Sequence, residues 1–314
     1  MQPSRRAFDD VDDPDHEIWL ARTNAEVHLG EMNLLSINSH VAYGHVGNSA
    51  AVFALQRLGV EVWPIHTVEL SNHPGYGDFR GRPTDAAAIR DLVGGIAARG
   101  ALARCDGVAS GYLGTADIGA EILAAVTRVK AANPAARYCC DPVIGDTDRG
   151  IYVRTDVAEF IRTRLTPAAD VVTPNPFELT CLSGGRACAS LGDAIAAIDA
   201  VHRLGPRVVL ATSIATEETP PDAIDLIVSD VSGRFRLRTP KLTLAANGAG
   251  DAIAALFFAH LLRGGAAAEA LARAASSLFG VLRRTAQAGA RELLLIEAQD
   301  EIVAPSVLFK PEPL

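Results

Sequence analysis

Short apolar runs alternate with longer amphipathic segments along most of the chain, starting at residue 33. The short runs predict strands, and the longer segments, in which apolar positions recur about every three to four residues, predict helices. This alternation favours a mostly parallel sheet with helices on both faces. The predicted strands are 33–38, 60–68, 106–110, 136–141, 169–173, 207–213, 224–230 and 234–239, and the predicted helices are 48–58, 84–99, 116–132, 155–163, 176–183, 190–204, 250–263, 266–286 and 296–302.

The last two predicted strands are joined only by Val231-Ser232-Gly233, so they are predicted to form a β-hairpin at one edge of the sheet. In open α/β sheets, ligands bind beyond the carboxyl ends of the strands. The polar loops that follow the predicted strands are therefore the candidate functional segments.

Residues 1–31 do not share the alternation, because they carry an acidic cluster and no clear strand. We expect an N-terminal arm that is flexible, followed by a single domain over 32–314 with no internal repeat or linker. Met32 opens the first strand, and we expect it to be the ancestral or the actual start.

Composition narrows the classes of protein and partner. Of the 314 residues, 49% are hydrophobic and 21% are charged, which suits one large core. The net charge is −8 without a basic stripe, so no nucleic-acid partner is expected. The five cysteines include no C-x-x-C pair, which favours reduced thiols and a cytoplasmic location. No apolar stretch is long enough to span a bilayer, so no membrane partner is expected.

The segment from Asn247 to Asp251 places two glycines directly ahead of an apolar helix. Glycines allow a tight turn, and the free N–H groups of a helix N-terminus attract anions such as phosphate. A carboxylate in such a place is suited to accept a proton from a hydroxyl that attacks a phosphoryl group. Glycines beside an aspartate are also typical of an ordinary turn or N-cap, and this segment alone leaves both interpretations open.

Two polar loops follow the first two predicted strands. The loop from Ser36 to Asn48 is rich in hydroxyl, amide and imidazole groups, and it either forms half of a small-molecule pocket or simply leads to an N-cap at Asn48. A metal site at His40 and His45 is disfavoured by their spacing and by the lack of an acidic partner. The second loop, 67–77, is either a turn or a flap that covers a ring-shaped substrate with Tyr76.

Three further strands end in polar residues. Asp141 lies where a carboxylate can orient a magnesium–phosphate unit, although a turn aspartate is the alternative. Asn175 and Glu178 flank Pro176 with capping-box spacing, and the same pair suits a hydrated magnesium ion. Thr212 ends a buried strand, where its hydroxyl can contact a nucleotide phosphate or merely terminate the strand.

Taken together, these segments resemble the pyridoxal kinase family of the ribokinase-like superfamily over about residues 33–311. The Gly248–Asp251 motif is shared by the wider superfamily, whereas the motifs within 36–50 and 70–77 are specific to pyridoxal kinases. The motifs that carry the resemblance are Ser36–Ala50, Leu70–Gly77, Ser110–Gly114, Cys140–Asp146, Thr173–Glu178 and Gly248–Asp251.

The resemblance implies a ribokinase-like three-layer α/β sandwich and ATP-dependent phosphorylation of the 5′-hydroxymethyl group of pyridoxal. It implies Mg²⁺ as cofactor, ATP as co-substrate, a monovalent cation such as K⁺, and a homodimer in the cytosol. By similarity, Asp251 is the general base, and Gly248, Ala249 and Gly250 hold the transferring phosphoryl group. The resemblance also implies substrate contacts for Ser39, Thr67, Pro74, Gly75 and Tyr76. It implies nucleotide contacts for Asp141, Thr173, Asn175, Glu178 and Thr212, with a weaker match to the adenine-side loop at Thr239, Pro240, Lys241 and Leu242. Asp141 and Glu178 are also implied to bind the metal ion, in part through water.

The chain departs from the family at three positions. Family members often carry glutamine in place of Glu69 and threonine in place of Pro74, and bacterial members carry a lysine in place of Thr212. Two rival functions remain: a kinase for hydroxymethylpyrimidine on the same fold, and a non-catalytic pyridoxal phosphate-binding protein. Asp251 argues against the second, because binding alone does not need a base.

Overall fold

The computed structural model describes residues 32–244 and 246–314, and the prediction of an N-terminal arm lies outside these ranges. The strands are β1 (Asn33–Val41), β2 (Glu61–Leu70), β3 (Gly81–Pro83), β4 (Gly107–Ser110), β5 (Arg137–Cys140), β6 (Gly145–Asp146), β7 (Gly150–Ile151), β8 (Val171–Val172), β9 (Val208–Ile214), β10 (Ala223–Asp230), β11 (Gly233–Pro240) and β12 (Glu312–Pro313). The helices are α1 (Asn48–Arg57), α2 (Ala86–Ala98), α3 (Ala116–Ala132), α4 (Thr155–Phe160), α5 (Pro176–Leu182), α6 (Leu191–His202), α7 (Ala249–Leu262), α8 (Ala267–Gln287) and α9 (Gln299–Val303). Short 3₁₀ turns lie at Pro74–Tyr76 and Ala101–Arg104, and α4 continues through a π-helical turn, Ile161–Leu165, into the short helical turn Thr166–Ala168.

Ten strands form one sheet in the order β12-β11-β10-β9-β8-β5-β4-β1-β2-β3. The six strands from β9 to β2 are parallel, and the strands added beyond them on both sides are antiparallel. Strands β6 and β7 pair separately as a small hairpin. The mostly parallel sheet predicted from the sequence is thus confirmed.

Successive side chains of the buried strands enter two different cores. Leu34 belongs to the core beneath α1, α7 and α8, whereas Leu35 belongs to the core beneath α2, α3 and α6. This is the period-two alternation of a strand covered on both faces. The sheet is therefore the middle layer of three, as predicted.

Helix α7 is apolar around its whole circumference, because it is packed on every side. Its residues from Ala252 to Leu261 are all buried, between the sheet, α1 and α8. Phe258 packs against Gly107 of β4, where an added Cβ would lie 2.7 Å from the phenylalanine ring. This packing fixes the direction in which the N-terminus of α7 points.

The two neighbours of β1 in the sheet, β2 and β4, lie on opposite sides of it. The chain passes first from β1 to β2 on one side, and it later returns to form β4 on the other side. The loops after β1 and β4 therefore diverge and open a crevice, the usual ligand position in this type of sheet. The candidate segments after β1, β2, β5, β8 and β9 follow parallel strands, so they lie at the same edge of the sheet as this crevice.

The predicted hairpin of β10 and β11 is confirmed, with Asp230 opposite Gly233. Strands β3, β6, β7 and β12 were not predicted. Each of these has only two or three residues, too few for alternation to show. One of them, β12, pairs with β11, so β12 forms the edge of the sheet and the predicted edge hairpin lies next to it.

Within the described ranges, no helix is long and apolar enough to cross a bilayer.

Replacing Phe258 by alanine should lower the free energy of unfolding by about 3–5 kcal/mol, the usual cost of removing a buried phenylalanine ring. Urea denaturation measures it. Leu92→Ala is the control, because Leu92 is 52% exposed on α2 and its loss should cost about 0.5 kcal/mol or less. Equal losses in the two variants would contradict the central position of α7.

Candidate active site

The N-terminus of α7 lies directly against the loop that follows β1. Gly248 precedes the helix with a φ of 91°, in the left-handed region that glycine tolerates. A Cβ at this position would lie 1.9 Å from the carbonyl oxygen of His45, so another residue does not fit without a shift. Gly248, Gly250 and Asp251 line a common cavity, so the first helical turn, whose N–H groups have no partner within the helix, lies at the crevice.

Asn38 connects three segments at the end of β1. Its Nδ2 donates to Asp251 Oδ1 at 3.0 Å, while its Oδ1 accepts from the backbone N–H groups of Ser39 at 2.7 Å and Tyr112 at 2.9 Å. The β1–β2 register shifts between Asn38 and His40, and such irregularities redirect side chains at sites. The amide therefore fixes the carboxylate of Asp251 to the ends of β1 and β4.

Burial raises the pKa of Asp251, while hydrogen bonds from the Gly47 backbone and the Asn38 side chain, together with the charge of His73, act in the opposite direction. A carboxylate with a raised pKa binds a proton more strongly than a free one, so Asp251 is suited to accept a proton. The site thus contains a base next to an anion-binding helix end.

A cavity of about 380 Å³ opens in front of Asp251 and Gly248. Its volume lies within the range of small-molecule sites. Its remaining lining residues are Ser39, Val41, Val46, Val68, Leu70, His73, Pro74, Tyr112, Asp141, Val143, Asp146, Arg149, Tyr152, Thr173, Asn175, Glu178, Thr212, Asn247 and Gly250.

The part of this cavity beyond β5 and β8 is acidic. Burial, then the charges of Glu178 and Asp251, raises the pKa of Asp141 well above its usual value, although Thr173 donates to it at 2.8 Å. Burial raises the pKa of Glu178 to about 8. Carboxylates that repel each other in this way fit a divalent cation, which relieves the repulsion.

The predicted capping box at α5 is present. Asn175 accepts from the Glu178 N–H at 3.0 Å, and Glu178 accepts in return from the Asn175 N–H at 3.0 Å. The other oxygen of Glu178 accepts from the N–H of Ile144 at 3.1 Å. No group of three or more His, Cys, Asp or Glu side chains in the described ranges is arranged to hold a metal ion. A magnesium ion here would depend on few side chains, with water and phosphate supplying the other ligands.

A second, apolar cavity of about 150 Å³ adjoins the first, because Thr212 and Gly250 line both. Ser213 lines the smaller cavity with a φ of 54°, which is rare for a residue with a side chain. The other lining residues are Ile224, Leu226, Thr239, Pro240, Leu242, Leu244, Ala249, Ile253, Ala275, Leu278, Phe279 and Leu282.

Four of the residues to which the family resemblance assigns a role in the site line neither cavity. Thr67 is fully buried and donates to the carbonyl of Tyr112 at 2.5 Å. Gly75 and Lys241 lie outside both linings, and the ring of Tyr76 lies beneath Arg291 instead of facing the cavity. The other residues with such an assigned role line one cavity or the other.

Glu292, which the sequence analysis did not identify, holds the two substrate-side loops together. Its Oε2 accepts from the N–H of His45 at 2.9 Å, and its Oε1 accepts from the hydroxyl of Tyr76. Burial, then the hydrogen bond to Glu292, raises the pKa of Tyr76 to about 12. Glu292 lies in a segment without a motif, so no sequence signal could have revealed it.

Asn38 and Arg149 were also missed as individual residues. Asn38 stood within a recognised motif, but only the fold shows that its amide meets Asp251. Arg149 lies on the β6–β7 hairpin, which was too short to predict.

A base, an anion-binding helix end and two joined cavities at a sheet switch point are typical of a nucleotide-dependent phosphotransferase.

A family model described as phosphomethylpyrimidine kinase matches residues 100–294. The pyridoxal kinase PdxY of Granulibacter bethesdensis is 52% identical over 282 residues, which cover 88% of this chain and 98% of that protein. The pyridoxal kinase PdxY of Rubrobacter xylanophilus is 50% identical and covers 89% of this chain and 97% of its own. The solved structure of pyridoxal kinase from Leishmania donovani in complex with ADP and pyridoxine has a TM-score of 0.83 at 31% identity, over 90% of this chain and 99% of that one. The chain belongs to the pyridoxal kinase family and has its ribokinase-like α/β fold.

Glu292→Gln should loosen both loops that the carboxylate holds, 42–47 and 73–77. A hydrogen bond to a charged group contributes about 1.5 kcal/mol, so amide hydrogen exchange in both loops should become about tenfold faster. Mass spectrometry of exchanged peptides measures it, with α7 as the internal reference. The exposed Glu297→Gln is the matched control. Acceleration in one loop only would show that Glu292 does not join them.

Proposed function

We propose that this protein is an ATP-dependent pyridoxal kinase, which phosphorylates the 5′-hydroxymethyl group of pyridoxal to give pyridoxal 5′-phosphate. The observation that carries the proposal is the placement of Asp251, which belongs to the first turn of α7 and also faces the cavity lined by the β1 and β2 loops. One carboxylate is thereby within reach of both a phosphate and an alcohol.

The reaction follows from this placement. The 5′-hydroxyl oxygen attacks the γ-phosphorus of ATP while Asp251 accepts the hydroxyl proton. The new phosphorus–oxygen bond forms as the bond to the β,γ-bridging oxygen breaks, and ADP leaves with the bonding electron pair. Phosphoryl transfer needs mainly positioning and charge stabilisation, which the N–H groups of Ala249 and Gly250 at the helix end supply.

The two cavities divide the substrates. Pyridoxal is assigned to the part of the larger cavity near Ser39, Pro74 and Tyr112, below the 3₁₀ turn of the flap. Adenine is assigned to the smaller, apolar cavity with Thr239, Pro240 and Leu242. The phosphates then pass Thr212 and Gly250, which both cavities share.

Asp141 and Glu178 would hold Mg²⁺, Glu178 through water because backbone N–H groups occupy its carboxylate. A bound Mg²⁺ would neutralise charge on the ATP phosphates. We further propose a monovalent cation such as K⁺, a homodimer and a cytoplasmic location, which the family resemblance supports. The domain assignment, 32–314, remains a prediction.

Hydroxymethylpyrimidine is the second candidate substrate, because the matching family model is described as a phosphomethylpyrimidine kinase. The same base and helix end serve either alcohol. The relatives that match most of the chain are named pyridoxal kinase, which favours pyridoxal.

Coupled assays with ATP and Mg²⁺ on pyridoxal, pyridoxine, pyridoxamine and hydroxymethylpyrimidine test the proposal. We expect turnover on at least pyridoxal, and Asp251→Asn should lower it about 10²-fold or more while substrate affinity is largely kept. Turnover on the pyrimidine alone would overturn the substrate assignment. Substrate binding without any phosphorylation would indicate a pyridoxal phosphate-binding protein instead.

Asn38→Ala should move the acidic limb of the kcat–pH profile to higher pH by about one unit, because a hydrogen bond that favours the ionised base is lost. The direction of this shift follows from the mechanism. Asp251 must be ionised to accept the proton, so turnover is lost as the pH falls through the pKa of Asp251. If that pKa is higher, turnover is lost at a higher pH. Asn38→Asp should shift the limb further, since a second negative charge raises the pKa of Asp251 again.

Asn133→Ala is the matched control, because Asn133 is the C-cap residue of α3 and its side-chain amide donates to the Cys105 carbonyl, outside both cavities. Its profile should coincide with that of the unmodified protein. A limb in Asn38→Ala that stays in place or moves to lower pH would contradict the role of the amide.

A further inference from the structure

Among the residues that the structure describes, the larger cavity is lined by four carboxylates and by one Lys or Arg side chain. The carboxylates are Asp141, Asp146, Glu178 and Asp251, and the cation is Arg149. The smaller cavity adds no Lys or Arg among the residues described. The triphosphate of ATP brings further negative charge into this surface. A metal ion and the N-terminus of α7 can balance part of the negative charge of the phosphates. Among the described Lys and Arg side chains that line the cavities, Arg149 is the one that can add to them.

Arg149 is the last residue of the turn between β6 and β7, and Asp146 is the carboxylate that its guanidinium contacts. Its Nε donates to Asp146 at 2.7 Å, and its guanidinium lies 5.2 Å from the ring centre of Tyr152. The side chain is 51% exposed. Ion pairs at exposed positions contribute only about 0–1 kcal/mol, so a phosphate can replace Asp146 as the partner at little cost.

The position of Arg149 brings it close to the substrate flap. A Cβ placed on Gly75 would lie 3.9 Å from its Nη1. His73, on the same flap, has a pKa lowered by burial and then by the charge of Arg149, while the charges of Asp251 and Glu292 raise it. Arg149, His73 and Asp251 all line the larger cavity, so the guanidinium shares this cavity with the base.

We propose that Arg149 is a further catalytic residue, whose guanidinium exchanges Asp146 for the transferring phosphoryl group. The inference rests on the proposed phosphoryl transfer. The guanidinium presents paired N–H donors that match phosphate oxygens, and it stays charged at any working pH. The transition state spreads charge over the equatorial oxygens, where a cation stabilises it more than the ground state.

A purely structural role of Arg149 predicts a different pattern of turnover among the variants. If Arg149 only stiffens the hairpin through Asp146, then removing either partner of the pair has the same effect. If Arg149 binds the phosphoryl group, removing Asp146 leaves the guanidinium available, and only the loss of Arg149 is severe.

The test compares Arg149→Met, Arg149→Lys, Asp146→Asn and the control Arg154→Met in the full chain. Arg154 pairs with the exposed Asp156 and lines neither cavity. Arg149→Met should lower kcat by about 10²-fold or more, the scale of a lost charge-stabilising donor, and Arg149→Lys should restore part of it. Asp146→Asn should lose about fivefold at most, because the cation remains, and Arg154→Met should match the unmodified protein.

Binding of Mg·ADP with aluminium fluoride, which mimics the transferring group, provides the second readout. Arg149→Met should weaken it more than about tenfold while binding of Mg·ADP alone changes little. Equal losses in Arg149→Met and Asp146→Asn, in either readout, would overturn the inference and leave the kinase assignment intact. If the unmodified protein does not phosphorylate pyridoxal, the proposed function fails, and the aluminium fluoride comparison still decides the role of Arg149.

Discussion

The hydrogen bond between Asn38 and Asp251 is the contact on which the site depends. It joins residues that are 213 positions apart, one at the end of the first strand and the other in the first turn of α7. The contact exists because Gly248 allows the backbone to approach His45 and because the apolar α7 is locked between the sheet, α1 and α8. A core of aliphatic and aromatic side chains thereby determines where a single carboxylate points.

Negative charge is the second organising constraint. The carboxylates of Asp141, Glu178 and Asp251 are brought together by the ends of β5, β8 and the start of α7, and burial raises the pKa of each. Such a site is unfavourable when it is empty of cations and suits a ligand that carries a divalent ion. In our proposals, the helix end and Arg149 supply local positive charge for the phosphates in a chain whose net charge is −8.

Much of the architecture was predictable because long strands and helices carry a periodic pattern. The parallel sheet, the hairpin of β10 and β11 and the capping box of α5 all follow from local sequence. Short elements such as β6 and β7 do not, since two residues show no period, and Arg149 was missed with them. Glu292 and the partners of Asn38 depend on contacts across the fold, which a local pattern does not encode. Tyr76 was recognised as part of a flap, yet its ring lies beneath Arg291 because Glu292 holds its hydroxyl.

A crystal structure with Mg²⁺, a non-hydrolysable ATP analogue and pyridoxal tests the central claim most directly. We predict the 5′-hydroxyl oxygen within about 2.6–3.2 Å of an Asp251 carboxylate oxygen, the distance of a proton about to be transferred. The same structure should show the γ-phosphate at the N–H groups of Ala249 and Gly250. A 5′-hydroxyl directed away from Asp251, or a γ-phosphate remote from the start of α7, would contradict the account.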